Sequence, residues 1–233
     1  MNTQLPLGLS WRDYATFDNF NIGDNAQLVS SLELADQQFT FVWGESGSGK
    51  SHLLQAVCQK AHEKIATQTS SEQLQPVYLP MQELLHMQPG ILDGMESMNP
   101  VCIDDIQLLA GDSDWEAALF HLFNRLRDHG SSLIVSASAA PTQIDIQLPD
   151  LVTRLSWGVS YQLQSLSDDG KRIALQQRAT QRGLQLPDDV VQFVLRRSLR
   201  DMNSLFELLD KLDVASLVEQ RKLTIPFVKQ YLD

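Results

Sequence analysis

Apolar residues follow two rhythms along this chain. Short, nearly unbroken runs at Phe39–Trp43, Pro76–Leu79, Val101–Asp104, Ser132–Ser136 and Val159–Leu163 have the length and side-chain types of buried strands. Between them the apolar residues move to helical spacing. Leu53, Leu54, Val57, Ala61 and Ile65 follow the first run, and Ala118, Leu119, Leu122, Phe123 and Leu126 lie between the third and fourth. A helix between strands carries the chain back to the same end of a sheet, so the pattern predicts an α/β domain with a five-stranded parallel sheet and helices on both faces. After about Ser165 the strand-like runs cease. Val190, Val191, Val194 and Leu195, then Leu205, Leu208, Leu209 and Leu212, keep helical spacing to the end, with Gly183 as a breaker and Pro187 as a helix start. The expected division is an α/β domain over residues 11–165 and a small helical domain over 166–233. The polar stretch Thr67 to Gln75 reads as a surface loop, and no internal repeat is present.

The strongest local signal lies directly after the first run. Gly44-Glu45-Ser46-Gly47-Ser48-Gly49-Lys50-Ser51 satisfies the phosphate-loop pattern, with a buried-strand run before it and a periodic helix after it. Glycines let the backbone curl so that its N–H groups converge on phosphate oxygens, and the helix N-terminus adds the positive end of its dipole. In such a loop Lys50 reaches the β- and γ-phosphates, and the Ser51 hydroxyl ligates Mg²⁺. Val101-Cys102-Ile103-Asp104-Asp105 is an apolar strand ending in two acids. At the C-terminal end of a central strand, Asp104 is expected in the Mg²⁺ shell and Asp105 at the attacking water. In Ser136-Ala137-Ser138, at the end of the fourth run, a polar side chain, Ser138 foremost, senses the γ-phosphate or positions water, or simply ends a strand. Arg154 stands alone before the fifth run, as surface arginines usually do.

Composition narrows the partners. The chain has 233 residues and a formal net charge of −11. Autonomous grip on duplex DNA draws on a basic face, and the tight basic cluster here is Arg196, Arg197 and Arg200, which also reads as a solvated helix face. Cys58 and Cys102 have no metal-ligand spacing and read as buried free thiols. Residues 1–9 lack the basic start of a signal peptide, and no run approaches the roughly 20 apolar residues that span a bilayer, so a cytoplasmic location and no membrane partner are expected.

At this point a family resemblance enters. Phe17-Asp18-Asn19-Phe20 with Gly23, the phosphate loop running into Ser51-His52-Leu53-Leu54-Gln55-Ala56-Val57, Ile103 through Gln107, Phe120 through Asn124 and Arg154-Leu155-Ser156-Trp157-Gly158 resemble the AAA+ core of the bacterial replication initiator DnaA. The resemblance covers most of the chain from about Phe17. It lacks the counterpart of the initiator's helix-turn-helix reader, so the chain is similar to Hda-type regulators, which inactivate DnaA. On this resemblance, Gln4, Leu5, Leu7 and Leu9, within residues 1–10, form a peptide that docks on the replicase sliding clamp, with DNA engaged only through the clamp. Arg154 becomes an arginine finger supplied in trans to ATP held by DnaA. The resemblance also implies a helical lid, a base site near Ile22, and His52 beside the nucleotide. An AAA+ lid normally carries an arginine where this chain has Asn203, with Arg200 one turn earlier, and which of the two takes the lid role stays open. An amide rewards a γ-phosphate less than a guanidinium does, so the expected resting ligand is ADP rather than ATP, with slow intrinsic turnover. The alternative is a helicase loader or other remodeller driven by its own ATPase. Self-association stays open, and a kinase reading finds no arginine-rich lid or acceptor pocket.

Overall fold

The computed structural model describes residues 15–67, 74–197 and 201–232. The clamp peptide expected at residues 1–10 and the alternative lid residue Arg200 lie outside the described residues. The elements in chain order are α1 (Ala26–Leu34), β1 (Phe39–Trp43), α2 (Lys50–Thr67), β2 (Val77–Pro80), α3 (Met81–Leu84), β3 (Val101–Asp104), α4 (Ser113–His129), β4 (Leu133–Ala137), α5 (Pro149–Leu155), β5 (Val159–Gln162), α6 (Asp168–Gln181), α7 (Asp188–Arg197), α8 (Met202–Glu219) and α9 (Ile225–Val228). The five strands form one parallel sheet in the order β2-β3-β4-β1-β5. Each expected run became a strand, with β2 and β4 shifted one residue towards the C-terminus. β1 and β3 flank β4, so the loops after Trp43 and Asp104 leave the same edge of the sheet, where parallel α/β folds bind ligands.

By its internal packing the chain divides into two compact units. The first holds Gln27–Gly44 and Lys50–Leu163; the second holds Asn19–Ala26, Glu45–Gly49 and Gln164 onwards. The core of the first gathers Phe41, Leu79, Ile103 and Val135 from the sheet with Trp115, Leu119, Leu122, Phe123 and Leu126 from one face of α4. α4 is well specified at both ends: the Asp112 carboxylate accepts from the N–H groups of Asp114 and Trp115, and Gly130 closes the helix at φ +75°. Cys58 and Cys102 are free and buried, and burial, followed by the neighbouring Cys58, pushes the Cys102 thiol well up from its ordinary range. No helix among the described residues is long and apolar enough to cross a membrane.

The helical part of the second unit packs Leu175 of α6, Val190, Val191 and Val194 of α7, Leu205, Leu208 and Leu212 of α8, and Phe227 and Val228 of α9 around one core. Helix α8 starts at Asp201, whose carboxylate accepts from the Ser204 N–H at 3.0 Å. Hydrogen bonding to Ser204 holds this carboxyl below its ordinary value of 3.8. A folded-state value below the unfolded one means that the contribution is complete above the ordinary value and is lost as pH falls through the depressed one. Asp201→Ala is therefore expected to cost about 1 kcal/mol in urea unfolding at neutral pH, a difference that persists to about pH 4 and shrinks in stronger acid.

Candidate nucleotide site and arginine edge

The loop between β1 and α2 has the backbone of a phosphate cradle. Gly47 and Gly49 sit at φ +74° and +105°, values that L side chains rarely adopt. At Gly49 a Cβ would come 2.8 Å from the Phe20 ring, so an aromatic ring packs where a side chain would otherwise stand. The Gly44 N–H donates to the Ala137 carbonyl of β4, which anchors the loop's root to the sheet. Ser48 is buried, and its hydroxyl has no hydrogen-bond partner among the described residues. Lys50, also buried, donates to the Gly44 carbonyl at 2.9 Å. Burial lowers its ammonium from the ordinary range, while Asp105 and then Asp104 work in the opposite direction. An orphaned hydroxyl, a desolvated cation and two left-handed glycines are what a polyphosphate would satisfy.

Near Lys50, within the first unit, lies a hydrogen-bond network. Asp104, at the end of β3, is almost fully buried, and its two oxygens accept from different hydroxyls: Tyr78 of β2 at 2.6 Å and Ser136 of β4. Burial, then the Asp104 carboxylate, pushes the Tyr78 hydroxyl strongly up, so it stays a donor, and hydrogen bonds from Gln55 and Ser51 act against that rise. Asp105 adopts a left-handed backbone, φ 59°, uncommon for a non-glycine residue, and its N–H donates to the Ser136 hydroxyl. Its carboxylate accepts from Gln107 Nε2 at 3.0 Å, while Gln107 Oε1 accepts from the Ser138 N–H. Ser138 itself is exposed and enters this network through its backbone; the buried hydroxyl at the strand end belongs to Ser136. Among the described residues no group of three or more His, Cys, Asp or Glu side chains could hold a metal ion. Ser51 and Asp104 therefore fit Mg²⁺ only together with the oxygens of a bound polyphosphate.

Within the second unit, Asn25 pairs with Gln164 through both ends of its amide, at 3.0 and 2.8 Å, and Asn21 donates to the Gly170 carbonyl. Ile22, between them, is exposed. The Ser165 hydroxyl donates to Glu45 in the loop, whereas Ser46 is exposed. A Cβ on Gly47 would meet the backbone nitrogen of Met202 at 3.0 Å and that of Asn203 at 3.5 Å. The first turn of α8 thus approaches the loop by its backbone, and the Asn203 residue is exposed. In the first unit the half-buried His52 ring bonds the Thr16 carbonyl at 2.8 Å.

Arg154 stands apart from all of these. It lies in the last turn of helix α5, its guanidinium carbon is 3.9 Å from the centroid of the Trp157 ring and 6.0 Å from that of Phe120, and Trp157 is 55% exposed. Among the described residues its guanidinium has no carboxylate partner.

This geometry has counterparts among known proteins. Residues 12–162 match the model of the bacterial DnaA ATPase domain, and residues 168–232 match that of the Hda lid domain. The chain belongs to the Hda/DnaA-like AAA+ family. A Haemophilus influenzae protein is 42% identical over 238 residues, spanning the whole of both chains. This AAA+ chain also resembles domain III of the Thermotoga maritima replication initiation protein DnaA, with a TM-score of 0.82 at 21% identity, covering 96% of this chain and 97% of that one. The AMPPCP-bound DnaA of Aquifex aeolicus superposes with a TM-score of 0.68 at 20% identity over 86% of this chain and 65% of that one. These two likenesses concern the fold: a five-stranded parallel AAA+ sheet followed by a helical lid. Tyr78, Gln107 and Trp157 carry much of the site geometry of this DnaA-related protein without having drawn a role of their own from sequence. Trp157 at least stood inside the motif that flagged Arg154, whereas Tyr78 looked like any other strand aromatic.

Proposed function

We propose that this protein is a nucleotide-bound regulator of replication initiation that supplies Arg154, in trans, to ATP held by DnaA, and so promotes its hydrolysis and prevents re-initiation. The observation that carries this reading is a guanidinium with no acidic partner among the described residues, lying over an exposed indole, in a chain with a net charge of −11. Stacking engages the face of the guanidinium and leaves its N–H edge available to an anion. A phosphoryl group in transfer gathers negative charge on its oxygens, and an arginine from a neighbour meets that charge.

The chain's own nucleotide would be held by the loop from Gly44 to Ser51, with Lys50 and the orphaned Ser48 hydroxyl towards its phosphates, and Ser51 and Asp104 towards Mg²⁺. That the loop suits an adenine nucleotide is supported by its glycine backbone and by the AMPPCP bound to the similar Aquifex aeolicus protein. Asn203 at the start of α8 brings no charge to a γ-phosphate, which favours ADP as the resting ligand and a conformational rather than catalytic role. Equilibrium titration is expected to give similar affinities for ADP and ATP, and Lys50→Ala is expected to weaken both by about 10–100-fold, the range of a lost charge-assisted hydrogen bond. ATP bound far more tightly than ADP would argue for a γ-phosphate sensor and against the regulatory reading.

Docking on the sliding clamp through residues 1–10 would bring the regulator to replicated DNA without a DNA-binding face of its own. The test is hydrolysis of DnaA-bound ATP with and without this protein, in the presence of clamp loaded on DNA. Acceleration that needs the loaded clamp supports the whole account. Turnover of the protein's own ATP, stimulated by DNA and without effect on DnaA, would point instead to an ATP-driven loader.

A further inference from the structure

A long, charged side chain on an exposed edge ordinarily samples many rotamers, and a finger that must enter another protein's site gains from being held in advance. The chain around Arg154 supplies such a hold. Trp157 is fixed in place on both sides: its N–H donates to the Arg154 carbonyl at 3.0 Å, and Gly158 passes so close to the Phe39 carbonyl that no Cβ fits there. The indole meets the Phe123 ring edge to face at 6.4 Å, and Phe123 stacks on Phe39 at 4.2 Å, so one side of Trp157 is rooted in the core of the first unit. The other side carries the Arg154 guanidinium at 3.9 Å, with Phe120 farther off at 6.0 Å.

The choice of an aromatic partner has a chemical consequence. A carboxylate would hold the guanidinium by its N–H edge and cancel the charge that a phosphoryl group rewards. An indole holds it by the face, keeps its charge and leaves the donors outward. Other cations of the chain also lie over rings, at 4.4 to 5.8 Å, whereas the Arg154 guanidinium carbon is at 3.9 Å with no carboxylate partner among the described residues.

We infer that Trp157 is the positioning residue of Arg154: it holds the guanidinium by cation–π stacking, charged and edge-out, for delivery to a nucleoside triphosphate bound by the partner. This inference rests on the reading that Arg154 acts in trans, and the experiment separates the two. This protein is titrated into DnaA–ATP with DNA-loaded clamp, comparing wild type with Trp157→Leu, Trp157→Phe, Arg154→Ala and the Arg154→Ala/Trp157→Leu pair. Leucine keeps apolar bulk against Phe123 but has no π-face. Trp157→Leu is expected to lower the maximal hydrolysis rate about tenfold while the half-saturating concentration stays within about twofold. Phenylalanine is expected to restore most of the rate, and the double variant to be no slower than Arg154→Ala alone. In solution NMR, the upfield ring-current shift of the Arg154 side chain should persist in Trp157→Phe and vanish in Trp157→Leu. A full maximal rate in Trp157→Leu, or a raised half-saturating concentration at unchanged maximal rate, would overturn the inference while leaving the trans-acting arginine intact. Full stimulation by Arg154→Ala would overturn both.

Discussion

Arg154→Ala is expected to lower clamp-dependent hydrolysis of DnaA-bound ATP by roughly 10³-fold, the lower end of what an arginine finger contributes. The size follows from where the charge sits. In the transition state the transferred phosphoryl group carries its negative charge on three oxygens in a water-poor site, and a guanidinium there acts at much greater strength than in bulk water. Alanine removes that charge from the reaction while leaving α5 intact, because the side chain makes no ion pair among the described residues whose loss could unfold anything. Arg154→Lys is expected to recover little: an ammonium keeps the charge but lacks the planar fork. The decisive comparison is the maximal rate of single-turnover hydrolysis at saturating regulator, with clamp binding measured in parallel. Unchanged clamp binding with lost stimulation isolates the arginine. Undiminished stimulation would return Arg154 to the ordinary surface arginine it resembles by composition alone.

The fold was readable because its signals are periodic and reinforce one another. Phe39–Trp43 is a strand run, and the same residues are hydrogen-bonded to both β4 and β5, since a central parallel strand is buried on both faces and tolerates little besides apolar and β-branched residues. The phosphate loop was readable because left-handed turns require glycine at 47 and 49. What escaped was chemistry made by distant neighbours. Ser136 and Tyr78 become partners of Asp104 only once β2, β3 and β4 lie side by side, 32 and 26 residues apart in the chain. The division of the chain was legible only along the sequence. Asn19–Ala26 and the tip of the phosphate loop belong by packing with the helical unit, through the Asn25–Gln164 amide pair and the approach of Gly47 to α8, and no periodicity encodes either contact.

The position of Asn203 sharpens the division of labour. The approach of α8 to the loop is made by the backbone nitrogens of Met202 and Asn203, which are present in the peptide whatever side chain follows. A lid of this kind can pack on the loop without a side-chain charge directed at the γ-phosphate. That agrees with the proposed reading, in which the nucleotide stabilises a conformation of this protein and the reacting triphosphate is the partner's.

Glu116→Ala is expected to destabilise the first unit strongly, although composition would place this acid on a solvated helix face. Its residue is 1% exposed, and each carboxylate oxygen serves two backbone donors: one accepts from Gly111 at 2.8 Å and Gln147 at 3.0 Å, the other from Gln147 at 3.0 Å and Leu148 at 2.7 Å. Alanine leaves three N–H groups without their acceptor, each worth about 1–3 kcal/mol when orphaned in a buried setting, and opens a cavity where the carboxylate stood. Water entering that cavity offsets part of the loss, so a net cost of about 3–5 kcal/mol is expected. At roughly 2–4 °C per kcal/mol for a chain of this size, the unfolding midpoint should fall by about 10 °C. Glutamine keeps one acceptor but turns an NH₂ group towards backbone donors, so Glu116→Gln should fall between wild type and alanine. The consequence extends beyond stability, since Gln147 and Leu148 lead directly into Pro149 and helix α5, whose last turn carries Arg154. Amide exchange at Gln147 and Leu148 should accelerate in Glu116→Gln, and stimulation of DnaA-bound ATP hydrolysis should fall under conditions where the variant remains folded. An unfolding midpoint unchanged by Glu116→Ala would show that the connection into α5 is held by its own turns and that Arg154 owes its placement to Trp157 alone.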